Sequence, residues 1–400
     1  MNSLPSYSKY AEHWMLDRNT VFLNHGSFGG CPIPVLNKQT EYRNRMEQEP
    51  VKFMITELED LLWKNKEQLA SLVGAKAKDL VFVPNATYGV NTVMNNLELN
   101  EGDEILTHNH AYGACWNAVQ YYAEKSKAKL LIAEIPFPIK SDDELVESFM
   151  KGVTPKTKFA MIDHVTSATG IIFPVKKLTV ALHEKGIEVL IDGAHAPGML
   201  DLNIDEIGAE YYTGNCHKWI CSPKGSALLH VREDKQKNFR SLIVSHTYDK
   251  KVGEKLWSSH FFWPGTSDYT AYACIGNSIE FMGSVMGDWK TLRKHNHDLI
   301  VEGRKLLLSA LGAAEAPCPE NMLGSLATVP LPIEFKAPES NFNYIHPFWQ
   351  KLVNEYHIQT PVFGWSRNNP RWWLRIAGQA YNSIEQIQYL ADVLKKEFPQ

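Results

Sequence analysis

The chain has 400 residues, 44% of them hydrophobic and 22% charged, a mixture that can bury a deep core and excludes a disordered protein. At about 150 residues per domain, two or three units are expected. Forty-one Lys and Arg against 45 Asp and Glu leave a formal charge of −4, which offers no electrostatic footprint for nucleic acid or for an anionic membrane.

Six cysteines (Cys31, Cys115, Cys216, Cys221, Cys274, Cys318) are scattered without a CxxC pair. In a chain of this size they read as reduced thiols rather than a disulfide framework or a zinc ribbon. Met1 to Thr20 is polar and has no apolar h-region, and the apolar runs elsewhere are too short to span a bilayer. A cytoplasmic protein is expected.

In chain order, Leu80–Val83 reads as a strand, closed by Pro84-Asn85 and followed by a helix from about Thr87 to Leu97. Glu104–Thr107 is a second strand, Trp116–Glu124 a helix, and Lys129–Ile135 a third strand. Phe159–Ile162 and Glu188–Ile191 are nearly continuous apolar runs, as strands buried on both faces require. Between them Val175–Lys185 reads as a helix stopped by Gly186. The βαβα rhythm implies α/β architecture with a mostly parallel sheet covered by helices. It stops after the run Ser226–Val231, and helices are expected over Tyr269–Met282, Trp289–Leu311 and Ile384–Phe398. The expected organisation is an N-terminal segment over 1–20, a large α/β domain over 21–285 and a smaller C-terminal α+β domain over 286–400.

Ligands of open parallel sheets bind at the carboxyl ends of the strands. Asp192 closes one such strand, and Lys218 follows twenty-six residues later in Gly214-Asn215-Cys216-His217-Lys218-Trp219. Apolar and aromatic neighbours disfavour the ammonium form of a lysine and suit a Schiff-base nucleophile. Together the pair fits pyridoxal phosphate: the amine forms the internal aldimine, and the carboxylate keeps the pyridine nitrogen protonated. Asn85-Ala86-Thr87 stands at a strand-to-helix turn whose amides and hydroxyl could hold a phosphate. His108 and His110 spell HxH, but no third ligand stands out and no metal is expected. Trp365, Trp372 and Trp373 read as packing residues.

These segments resemble the fold-type I pyridoxal-phosphate enzymes of the class V aminotransferase family, in particular its isopenicillin N epimerase-like branch. The likeness runs from about Phe22 to Tyr381 and rests on the motifs Leu23–Gly29, Asn85–Thr87, His110–Ala114, Asp192–His195, Gly214–Trp219, Trp263–Asp268 and Arg375. It implies that Lys218 holds the cofactor, that Asp192 pairs with its ring nitrogen and that His195 contacts its phenolic oxygen. It implies that His110 stacks on the ring, with Tyr112 as the near alternative. Ala86, Thr87, Asn215 and His217 would hold the phosphate, and Thr266 would reach the phosphate of a neighbouring subunit, making a homodimer with a shared active site. Arg375 would clamp the α-carboxylate of a small amino-acid-like substrate, with Asn24 and His25 on the substrate side. Ser167 replaces an asparagine of the cysteine desulfurases, and Ala86 replaces a hydroxyl residue.

The stretch Thr360–Trp373 contains no cysteine, so persulfide transfer by a mobile thiol is not expected. The resemblance favours deprotonation at Cα followed by epimerisation, with His110 or Tyr112 as the second acid. Carbon–sulfur β-elimination is the alternative, and transamination comes after both. A non-enzymatic scaffold is set aside because the lysine, the aspartate and the arginine are all present.

Overall fold

A computed structural model describes residues 4–248, 257–313, 315–336, 346–365 and 370–399. Its strands are β1 (Val21–Phe22), β2 (Leu80–Val83), β3 (Glu104–His108), β4 (Lys129–Ala133), β5 (Thr157–Asp163), β6 (Glu188–Asp192), β7 (Tyr211–Asn215), β8 (Ala227–Val231), β9 (Leu326–Leu331), β10 (Ile358–Gln359), β11 (Val362–Trp365) and β12 (Arg371–Ala377). Seven of them form one sheet in the order β2-β8-β7-β6-β5-β3-β4. Only β8 runs against its neighbours. The expected mostly parallel sheet is present.

Alternation along β5 shows why the apolar runs are continuous. Phe159 and Met161 pack with Val90, Val93 and Val119 on one face, while Ala160 and Ile162 pack with Phe149, Leu178 and Leu182 on the other. Both faces are covered, so neither set of positions can be polar. Helices Ala86–Asn96 and Gly113–Ser126 supply the first cover, and Asp142–Met150 and Val175–His183 the second. Gly89 is required here, because a Cβ would lie 2.1 Å from Thr213 Oγ1 on β7.

A second, antiparallel sheet orders β11-β12-β9 and packs on the long helix Trp289–Ala310, which Asp288 caps through the Thr291 N–H at 2.6 Å. β1 pairs in parallel with β10, joining the start of the chain to its C-terminal part. The expected helix over 269–282 is broken at Cys274 into Thr270–Ala273 and Ile275–Ser284. Two long helices before β2, Ile33–Gln48 and Leu58–Val73, had no counterpart among the expected elements. The first buries only Val35 and Gln39, so its sequence carries almost no apolar stripe. Trp372 and Trp373 are buried as expected, whereas the Trp365 side chain and residues 366–369 lie outside the described residues. Among the described residues, no helix is long and apolar enough to cross a membrane.

Candidate active site

Because β3, β5, β6 and β7 run parallel, their last residues share one edge: His108, Asp163, Asp192 and Asn215. Asp192 is buried, its Oδ1 accepts the Ala194 N–H at 3.0 Å, and its Oδ2 has no hydrogen-bond partner. Burial pushes the carboxyl up to about 6, repulsion from Asp163 adds to this, and the Cys115 thiol and Ala194 N–H oppose it.

Lys218 stands in the turn after β7, half-buried, with Nζ 3.1 Å from His195 Nε2. The Trp219 indole N–H can only donate, and it points at His195 Nδ1 from 3.3 Å. His195 therefore carries its proton on Nε2 and donates to the lysine, whose nitrogen must present a lone pair. Desolvation agrees. Burial, helped by the Arg375 charge, lowers Lys218 to about 8 against the opposing pull of Asp192, and burial takes His195 well below its ordinary range. An uncharged amine is the form that attacks a carbonyl. The rate at which apoprotein captures the cofactor aldehyde should rise about tenfold per pH unit up to about 8 and level off above. Stopped-flow absorbance across that range measures it.

Beneath the lysine, His25 is fully buried, with Nε2 2.9 Å from the Lys218 carbonyl oxygen and Nδ1 2.8 Å from the Tyr381 hydroxyl. His25, implied by the resemblance to lie on the substrate side, thus holds the lysine turn. Gly29 belongs to the same support: at φ +70, a Cβ there would lie 1.9 Å from the His217 carbonyl. Cys221, just past the lysine, also takes a left-handed φ of 59, local strain of the kind found at functional sites.

Arg375 lies on β12, 3% exposed, with Nη2 3.1 Å from both Asn24 Oδ1 and Ser27 Oγ, and Nη1 bonded to the Ser167 carbonyl. Asn24 and the Ser167 carbonyl are thus brought to the arginine. Ser27 is an addition to the set of site residues. It is a motif residue to which the sequence attached no role. Arg375→Lys keeps the charge but loses the planar fork. Losing one charge-assisted bond, about 1.5–3 kcal/mol, should raise KM about 10- to 100-fold with a smaller change in kcat, read by steady-state kinetics.

Ala86 and Thr87 begin the helix Ala86–Asn96, which Asn85 caps. The Ala86 N–H donates to Asn215 Oδ1 at 2.9 Å, so β7 and this helix end are tied together. His217 is half-buried, its Nδ1 bonded to the Ser226 carbonyl at 2.9 Å. Thr266 lies in the exposed segment 266–268, where Arg43 pairs with Asp268 at 2.9 Å.

His110 is packed inward. Its Nδ1 is 2.9 Å from Thr169 Oγ1, its Nε2 is 3.3 Å from the Ile135 carbonyl, and Phe137 and Phe173 meet its ring edge-on. Burial and the neighbouring His108 lower it to about 3. Tyr112, two residues on, is 46% exposed, and its N–H donates to Asp163 Oδ2 at 3.3 Å. Asp163 went unassigned in the sequence, although it closes its strand as Asp192 closes the next.

Residues 30–332 match the model of the aminotransferase class-V family. The chain belongs to that family. It is 29% identical to a probable chloroplastic L-cysteine desulfhydrase of Arabidopsis thaliana, over 97% of this chain and 84% of that protein. It is 28% identical to the isopenicillin N epimerase of Streptomyces clavuligerus, over 95% of each. The solved complex of the cystine C–S lyase C-DES with its product cysteine persulfide has the same fold, with a TM-score of 0.76 at 20% identity, covering 94% of this chain and 97% of that one.

As a class-V aminotransferase family member, the protein is a fold-type I enzyme that uses pyridoxal 5′-phosphate and acts on amino-acid-like substrates. The residues present fit that group. Asp192 Oδ2 is a buried acceptor awaiting a donor, which a protonated pyridine nitrogen supplies. Lys218, one strand away, is an amine whose basicity is lowered to about 8. At the helix end, where the Ala86 N–H is taken by Asn215, the Thr87 amide remains for the phosphate.

Proposed function

We propose that the enzyme is a carbon–sulfur β-lyase acting on cysteine or a cysteine thioether. Bound at Lys218 and Asp192, the cofactor supplies an electron sink for charge developing at Cα. The chain's residues do the rest. Arg375, oriented by Asn24, Ser27 and the Ser167 carbonyl, holds the substrate carboxylate and aims the Cα–H bond. Lys218 would take the Cα proton as general base. His195 keeps that amine in place through the bond fixed by Trp219. Cleavage of Cβ–S and addition of water then give pyruvate, ammonia and sulfide or a thiol.

The observation that carries this reading is the burial of His110. Epimerisation requires a second acid across the ring from Lys218. His110 has both nitrogens engaged and is held to about 3, so it supplies no proton at neutral pH, and epimerisation would have to take its proton from Tyr112 alone. The desulfhydrase name carried by the Arabidopsis relative supports the same choice.

The stacking role implied for His110 passes in this proposal to Tyr112. Tyr112→Phe should leave cofactor affinity unchanged, whereas Tyr112→Ala should weaken it about two- to tenfold, the loss of one aromatic contact; equilibrium dialysis measures both. A homodimer is part of the same proposal, with Thr266 on its exposed segment reaching the partner's phosphate. So is the division into units over 21–285 and 286–400.

The test is a panel of amino acids assayed for pyruvate, sulfide and deuterium at Cα in heavy water. Pyruvate and sulfide from cysteine support the lyase. An inverted, deuterated amino acid without pyruvate replaces it with the epimerase.

A further inference from the structure

Beside Asp192 stands a second buried carboxyl that the reaction as described leaves without a task. Asp163 and Asp192 are register partners at the ends of β5 and β6. Each has one buried oxygen without a hydrogen-bond partner, Asp163 Oδ1 and Asp192 Oδ2. Register partners on neighbouring strands face the same side of the sheet, and the charge of Asp163 raises Asp192, so a proton held on one favours ionisation of the other.

The surrounding groups decide which one holds it. A donor is directed at Asp192, the Ala194 N–H at 3.0 Å, and the nearby Cys115 thiol favours its ionised form. Asp163 Oδ1 faces an acceptor instead. It lies 3.4 Å from His108 Nε2, and that nitrogen already accepts the Asp163 backbone N–H at 3.1 Å. A ring nitrogen that accepts carries no proton, so an ionised Oδ1 would meet a lone pair, whereas a carboxylic O–H would share that acceptor with the Asp163 N–H in a three-centre bond. The Tyr112 N–H to Oδ2 suits the carbonyl oxygen of the same acid.

We propose that Asp163 is a positioning residue that holds the single proton of the pair, so that Asp192 remains the anion facing the cofactor's ring nitrogen. The groups facing Asp163 are His108 from β3, Asp192 from β6, Lys218 from the turn after β7, and Cys115 and the Tyr112 amide from the helix Gly113–Ser126 and its cap. Lys218, when protonated, is the one cation among them, and it then favours ionisation of Asp163. Burial outweighs it, raising Asp163 to about 8 while Asp192 rises only to about 6.

The inference rests on the cofactor site and not on the choice between lyase and epimerase, so it is tested on the holoenzyme without substrate. Isotope-edited infrared spectroscopy with carboxyl-labelled aspartate should show a protonated-acid C=O band at neutral pH. That band should vanish in Asp163→Asn and persist in Asp192→Asn. Because asparagine keeps a donor toward His108 and an acceptor for Tyr112, Asp163→Asn should hold the cofactor within about threefold of the wild-type affinity. Absence of the band from the wild type, its survival in Asp163→Asn, or a tenfold loss of cofactor affinity in Asp163→Asn overturns the proposal. The visible absorption of the lysine-linked cofactor is read separately and reports on Lys218 alone.

Discussion

Lys218→Ala should lower kcat/KM by at least about 10²- to 10⁴-fold, the usual contribution of a positioned general base. The larger end is expected because this side chain has two tasks. In the proposed reaction it holds the cofactor in the resting enzyme and takes the Cα proton during turnover. The depressed basicity that suits both comes from burial and from Arg375, and His195 fixes the direction of the nitrogen. A small soluble amine supplied to the alanine variant should restore part of the rate, since the cavity and its neighbours remain. The lysine band in the visible spectrum should be lost. Wild-type rates in the alanine variant would place the base elsewhere.

Asp192→Asn should cost about 10²- to 10³-fold in kcat, comparable to removing a preorganised charge from where it meets the reacting system. The substitution changes no shape at the end of β6. It removes the negative charge that keeps the ring nitrogen protonated, and with it the electron sink on which Cα deprotonation depends. Because Asp192 is proposed to meet the cofactor rather than the substrate, KM should change little. Exchange of Cα hydrogen with deuterated solvent, followed by nuclear magnetic resonance, separates this effect from any loss in later steps. An exchange rate equal to that of the wild type would show that Asp192 does not govern the carbanion.

What could be read from the sequence follows from which signals are local. β5 and β6 were legible because strands covered on both faces are apolar throughout, and their ends located Asp192 by the strand-end rule. The same rule, applied one strand earlier, would have found Asp163. Arg375 came from resemblance alone. Its pairing with Asn24 and Ser27 spans about 350 residues of sequence, a separation that periodicity cannot bridge.

His25 and His110 show the opposite limit. Both sit in motifs of the right kind, but residue type does not reveal which way a side chain points. His25 turned under the lysine because the Lys218 carbonyl needed a donor, and His110 turned inward to Thr169 and Ile135. The helix Ile33–Gln48 escaped because it is polar nearly all round and its role depends on neighbours distant in sequence.

The most direct test of the whole account is to reduce the cofactor-loaded enzyme with borohydride and map the modified peptide by mass spectrometry. The account predicts one phosphopyridoxyl group, on Lys218. A group on any other lysine, or a loaded protein that takes no covalent label, would contradict it.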